Sequence, residues 1–257
     1  MHVQDERLRT GADVSATLKL ATASARAARR DEALELLTYC EDWPQPFNEQ
    51  GLLVRAEVLA RRDPVLGLEM LAAHSEVFTS NEGRFGYLVT SANAYVNTRN
   101  FDAARDMLAT ARELVRDDIT LCARLGYERA RLALLTKLYD PASDDIAVAM
   151  TDPSPGAQFK ALELRSWMHA GREDYASQIQ DLLGALRQFR DSAPACDLTS
   201  VAIALHALLR LAVELGDAKA VAVGEAVYEA IEWTRDIQDL RFLCIRALAW
   251  HAFHQGD

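Results

Sequence analysis

Between residues 101 and 116 the chain places Phe101, Ala104, Leu108, Ala111 and Leu114 three or four positions apart, with Asp102, Arg105, Arg112 and Glu113 off that stripe. One apolar face on a 3.6-residue period predicts an amphipathic helix. Read the same way, the chain predicts thirteen helices, over 13–28, 31–41, 47–61, 64–78, 82–98, 101–116, 118–138, 141–150, 157–170, 173–190, 198–215, 217–234 and 237–255. Ala, Leu, Arg and Glu recur throughout, and no alternating run of β-branched residues predicts a strand. Asp31, Asp102 and Asp217 fall at or near helix starts, where a carboxylate accepts free backbone N–H groups. Pro64 and Pro141 suit a first helical turn, where the missing N–H costs nothing.

The pattern also repeats itself. Ala92, Phe101, Asp102, Ala104, Leu108 and Ala111 return 38 residues later as Ala130, Tyr139, Asp140, Ala142, Ile146 and Ala149. Going backwards, Gly67 and Leu71, then Ala33 and Leu37, keep the step from a small residue to Leu four positions on. Short polar turns recur at Arg30-Asp31, Arg62-Asp63, Asn100 to Asp102, Asp140, Gly171 to Asp174, Gly216-Asp217 and Gly256-Asp257. Self-similarity at such a period is the mark of stacked repeat units. Small residues on facing helices let two antiparallel helices approach closely, and Leu108 and Phe101 fill the remaining space.

Ala92, Tyr95, Phe101, Ala104, Leu108 and Ala111 resemble the tetratricopeptide repeat pattern in order and spacing. The copy at Ala130 departs from it, with Ala133 where the tyrosine belongs, and the tryptophan and closing proline of that pattern are mostly missing elsewhere. The uneven period is also similar in texture to the degenerate repeats in the sensor region of large LuxR-type regulators, the MalT-like group. The expected fold is all-α: a right-handed superhelical solenoid of about six TPR-like helix hairpins plus an unpaired last helix. Residues 1–12 are expected to be a frayed lead-in and 13–257 a single domain, expected to be a fragment of a longer protein. The turn-rich stretches Thr151–Gly156 and Asp191–Ala195 read as connections between hairpins.

Net charge is −10, without a basic stripe, and an acidic surface repels phosphate backbones, so direct nucleic-acid contact is not expected. The longest apolar runs read as short of the ~20 residues that span a membrane, and a cytoplasmic location is expected. Cys40, Cys122, Cys196 and Cys244 are widely spaced and read as buried reduced thiols. The motifs of phosphate loops, dinucleotide-binding turns and zinc sites are absent. His251 and His254 lie three apart on one helix, too few to hold a metal alone, and Asp117-Asp118 and Asp144-Asp145 read as solvated caps. Hence no cofactor, no metal and no catalytic residue is expected.

In repeats of the type resembled, the first helix of each hairpin lines the concave face. With Ala92 and Ala130 facing inward, that register selects Asn93, Asn97, Arg124, Tyr127 and Arg131, and an alignment through Gly171 adds Arg165 and His169. Amides, guanidiniums and an aromatic ring suit a carboxylate-bearing peptide or small effector; the competing reading pairs these arginines with Glu128 or Glu163. The apolar residues Leu243, Ala247, Trp250 and Phe253 near the end point to a partly uncovered last helix and to self-association through it. The expected function is a non-catalytic sensor or interaction module of a larger bacterial regulator. A free-standing adaptor or chaperone-like scaffold is the first alternative and a helical-repeat enzyme the second, which a deeply buried cluster of ionisable groups would favour.

Overall fold

A computed structural model describes residues 11–115 and 118–255 as helices joined by short turns, with no strand among them. The expected lead-in over 1–12 falls mostly outside the described residues, as do Asp117 and the turn Gly256-Asp257. The helices are α1 (Gly11–Arg26), α2 (Arg30–Leu36), α3 (Phe47–Arg62), α4 (Pro64–Ala73), α5 (Asn81–Asn97), α6 (Phe101–Val115), α7 (Ile119–Leu135), α8 (Tyr139–Ala149), α9 (Pro155–Gly171), α10 (Tyr175–Ser192), α11 (Leu198–Leu215), α12 (Ala218–Ala230) and α13 (Gln238–Gln255). All thirteen fall where the periodicity predicts them. Four end at least three residues early: α2 stops at Leu36, α4 at Ala73, α7 at Leu135 and α12 at Ala230, and short 3₁₀ turns follow α2, α4 and α12 at Cys40–Asp42, Ser75–Val77 and Arg235–Ile237.

The chain divides into two compact units, one built on α1–α6 and one on α7–α13 together with the short piece Arg26–Ala28. In the first unit α3 packs on α4, and α5 packs on α3, α4 and α6. Its core holds Val14, Leu18, Leu37, Trp43, Leu52, Leu71 and Phe78. Gly67 of α4 lies so close to Ala60 of α3 that a Cβ there would come within 2.7 Å of the alanine methyl. That repeat position is thus a contact point between α3 and α4. Ala33, Leu37, Gly67, Leu71, Ala92, Ala104, Leu108 and Ala111 are all buried.

In the second unit α7 packs on α8, α9 on α10, and α11 on α10, α12 and α13. Ala130, Ala142 and Ile146, the later copy of the repeat, sit in a core with Leu164 and Met168. A larger core gathers Phe159, Leu182, Leu186, Leu205, Leu208 and Leu209, with Cys244 of α13. α11 is the one helix among the described residues long and apolar enough to cross a membrane by length and composition, although His206, Arg210 and Glu214 interrupt its apolar run. Its mean hydropathy is 1.7 over 18 residues, and 44% of that stretch is buried, because α10, α12 and α13 pack around it. On α13, Leu240, Cys244, Ala247 and Leu248 pack into the core that α11 centres.

One backbone device recurs that the residues alone conceal. Arg99, Lys137, Glu173 and Gly216 all take the left-handed conformation, with φ of 60°, 61°, 60° and 70°. Each is followed by an N–H that reaches back five residues: Asn100 to the Tyr95 carbonyl (2.9 Å), Leu138 to Ala133 (2.8 Å), Asp174 to His169 (3.0 Å) and Asp217 to Ala212 (2.8 Å). This six-to-one closure satisfies a terminal helix carbonyl and turns the chain. It joins α5 to α6, α7 to α8, α9 to α10 and α11 to α12, and Ala28 between α1 and α2 has φ of 54°. After three of these turns an Asn or Asp side chain starts the next helix: Asn100 accepts from the Ala103 N–H (3.3 Å), Asp174 from Ser177 (3.1 Å) and Asp217 from Ala220 (3.0 Å).

Candidate functional site

The seven residues selected from the repeat register fall in three places. Asn93 and Asn97 lie on α5 in the first unit, half-buried and exposed respectively. Arg124, Tyr127 and Arg131 occupy successive turns of α7 in the second unit, all half-buried. Arg165 and His169 lie on α9, where they face α10.

Around Tyr127 and Arg131 the helices assemble a buried ionisable cluster. α7 contributes Glu128, 8% exposed, whose carboxylate lies 3.8 Å from the Arg131 guanidinium. From α9, Lys160 places its ammonium 5.5 Å from the centre of the Tyr127 ring, a cation–π arrangement. One turn further along α9 is Glu163, only 3% exposed, whose carboxyl accepts no hydrogen bond among the described residues. Asp197 caps α11, accepting from the Ser200 N–H at 3.0 Å, and its charge acts on Glu163 as well.

The electrostatics of this cluster follow from burial. Removal from water pushes the Glu163 carboxyl up to about 8; Lys160 and Arg131 pull it down, and Asp197 pushes it further up. With Glu163 ionised the cluster would hold three carboxylates against two cations; a proton retained on Glu163 leaves it balanced. Burial likewise pushes the Tyr127 phenol far above its usual range, reinforced by the Glu163 and Glu128 charges. Tyr127 therefore presents a neutral O–H.

Arg165 and His169 have a different environment from the one expected. Arg165 Nε and Nη2 donate to the two carboxylate oxygens of Asp181 on α10, at 2.9 and 2.6 Å. Those hydrogen bonds, donated to a carboxylate only 5% exposed, raise the guanidinium above its ordinary pKa. His169 lies with Nδ1 3.4 Å from Asp174 and Nε2 3.5 Å from Asp181. Both line an open cleft of about 720 Å³, together with Ser177 and Gln180 of α10, Leu215 and Asp217. Asp181 already pairs with Arg165, and Glu128, one of the two acids weighed as its partner, lies 3.8 Å from Arg131.

Asp145 departs from the expectation of a solvated cap: it is 8% exposed inside α8, and its carboxylate lies 3.4 Å from Arg129 of α7. Among the cysteines, Cys40, Cys196 and Cys244 are buried and Cys122 half-buried; burial raises the first three thiols to about 11, 11 and 12. They are inert at neutral pH. No three His, Cys, Asp or Glu side chains converge to hold a metal among the described residues; the side chain of His254 lies outside what is described.

Reasoning from the register overlooked Lys160, Glu163 and Asp197 as site residues. The available signal was the return of Glu128 as Glu163, about one repeat later, in a helix otherwise apolar at that position. Comparisons of the chain with protein-family models, with curated proteins and with solved structures find no match.

Proposed function

We propose that this chain is a non-catalytic helical-repeat module of the tetratricopeptide-like kind, which binds a peptide, protein or small effector along the face formed by α7 and α9. In this reading the helix pairs stack as a right-handed solenoid, and the module serves as the sensor or interaction region of a larger bacterial regulator. Support for stacking comes from the burial of every small residue of the repeat and from the recurring left-handed turns. The observation that carries the binding face is Glu163. A buried carboxyl without a hydrogen bond costs stability, and such costs concentrate where a protein meets a ligand. It stands beside Tyr127 and Arg131, the residues that the repeat register selects for the same role.

The test compares wild-type protein with an Arg124→Ala/Arg131→Ala variant, each used as bait in the source cell's lysate, with far-UV circular dichroism to confirm equal helicity. Partners that the wild type retains and the variant loses support the reading. An identical set of partners on both baits removes it.

A catalytic reading gains one observation, since a carboxyl that holds its proton near pH 8 beside a phenol and an ammonium has the make-up of a general acid. A general acid must touch the reacting atoms, and Glu163 is 3% exposed, whereas binding needs contact only with its half-buried neighbours Tyr127 and Arg131. The binding reading is therefore the stronger of the two.

A further inference from the structure

α13 has no continuous polar face. While Leu240, Cys244, Ala247 and Leu248 turn inward, the opposite side exposes Phe242 (65%), Ile245 (43%), Ala249 and Phe253 (75%). A helix apolar around most of its circumference is normally buried on both sides, and a contiguous exposed patch of this kind marks an interaction surface. Two charges border the outer stripe. Asp239 and Arg246 are both exposed, stand two turns apart on the same side as Phe242, and neither forms an ion pair among the described residues.

We propose that a second copy of this chain covers the outer face, α13 against α13, antiparallel about a twofold axis beside Phe242. Antiparallel pairing about that axis sets Asp239 of each copy opposite Arg246 of the other. Phe242 meets its symmetry mate between the two ion pairs, with Ile245 flanking it. In an isologous contact every interaction occurs twice, so one acid and one base on a single helix suffice for complementarity. Antiparallel helices also set their dipoles in opposition, which favours the pairing. The two helices overlap over residues 238–247, so the exposed parts of Phe242, Ile245, Asp239 and Arg246 make the contact, roughly 300–400 Å² per copy, at ~150–250 Å² for a whole aromatic side chain. The pair then buries about 600–800 Å², below the range of stable specific interfaces, which implies a weak, reversible dimer. This inference does not depend on the binding role of the α7–α9 face.

Sedimentation equilibrium of the full chain over about 1–200 μM tests it, a range that brackets a micromolar dissociation constant. The expected result is a monomer–dimer equilibrium. Asp239→Arg and Arg246→Asp should each weaken it by about tenfold or more, because each places like charges opposite one another twice. The double variant restores opposite charges in reversed order and should recover dimerisation to within about threefold of wild type. Phe242→Glu should abolish it with far-UV circular dichroism unchanged. A chain that stays monomeric throughout overturns the proposal. So does a dimer whose double charge swap recovers nothing, since that dimer is built on other contacts.

Discussion

The carboxylate of Glu49 occupies the space that a side chain at Gly83 would fill. On α3, Glu49 accepts from the Thr79 N–H (2.8 Å), the Thr79 hydroxyl (3.1 Å), the Ser80 N–H (3.1 Å) and the Ser80 hydroxyl. The Ser80 hydroxyl in turn accepts from the Gly83 N–H at 2.8 Å, capping α5. A buried acid on one helix thereby fixes the start of another. A Cβ at Gly83 would overlap Glu49 Oε2. Gly83→Ala, which in an exposed helix would gain about 1 kcal/mol from propensity, should here cost roughly 1–3 kcal/mol through overpacking. Urea denaturation measures the sign, and a stabilised variant would show that the carboxylate simply moves aside.

The same acid predicts an acid-side loss of stability. Burial by itself would raise the Glu49 carboxyl, but the hydrogen bonds from Ser80 and Thr79 outweigh it and hold the group below its ordinary value. Between the folded and unfolded values the unfolded chain binds the proton more readily, so stability falls as pH falls. Its contribution is complete above the unfolded carboxyl range near 4.3 and is lost below it. Glu49→Gln should flatten the acid limb of a plot of melting temperature against pH. An unchanged limb would assign acid unfolding to other carboxylates.

Glu163 has the opposite sign. Its folded value is about 8, so the native chain keeps a proton that the unfolded chain releases above roughly 4.3. Stability therefore decreases as pH rises from that value towards 8 and is level beyond it. Glu163→Gln, a neutral isostere, should stabilise the protein by a few kcal/mol at pH 8 and by little at pH 5. Urea melts at the two pH values decide the matter: an equal effect at both would mean that Glu163 is already ionised in the fold.

The left-handed turns predict a substitution that touches no neighbour. Arg99 holds φ of 60° with a full side chain, a conformation that costs a non-glycine residue roughly 1 kcal/mol. Arg99→Gly should then be stabilising or neutral, where glycine on an ordinary surface usually destabilises. Thermal denaturation against an Arg105→Gly control, inside α6, gives the contrast; equal losses in the two variants would argue against the turn.

Packing at the repeat positions is tested at Leu108, which is 3% exposed between α5 and α6. Leu108→Ala removes buried methyl groups and leaves a cavity, at an expected cost of about 2–5 kcal/mol. A change near zero in chemical denaturation would mean that α6 does not depend on that contact.

The positions of the helices and the buried residues of the repeat were legible in the sequence, because a 3.6-residue period and a recurring small residue are local consequences of helix geometry. Leu108 and Ile146 could be read as equivalent, and both are buried. Tyr127 and Arg131 were reached through that register, since a register says which way a side chain leaves its helix. The partners of those side chains were not legible. Asp181 meets Arg165 from a different helix, and Glu163 is written like any surface acid until packing removes it from water. No glycine marks the left-handed turns at Arg99, Lys137 and Glu173, so the residue types alone do not reveal them. Local periodicity thus determined the elements and their inward faces. Only the tertiary structure decided which charges were neutralised, and that α13 is apolar both inward and outward, because desolvation and pairing depend on residues distant in the chain.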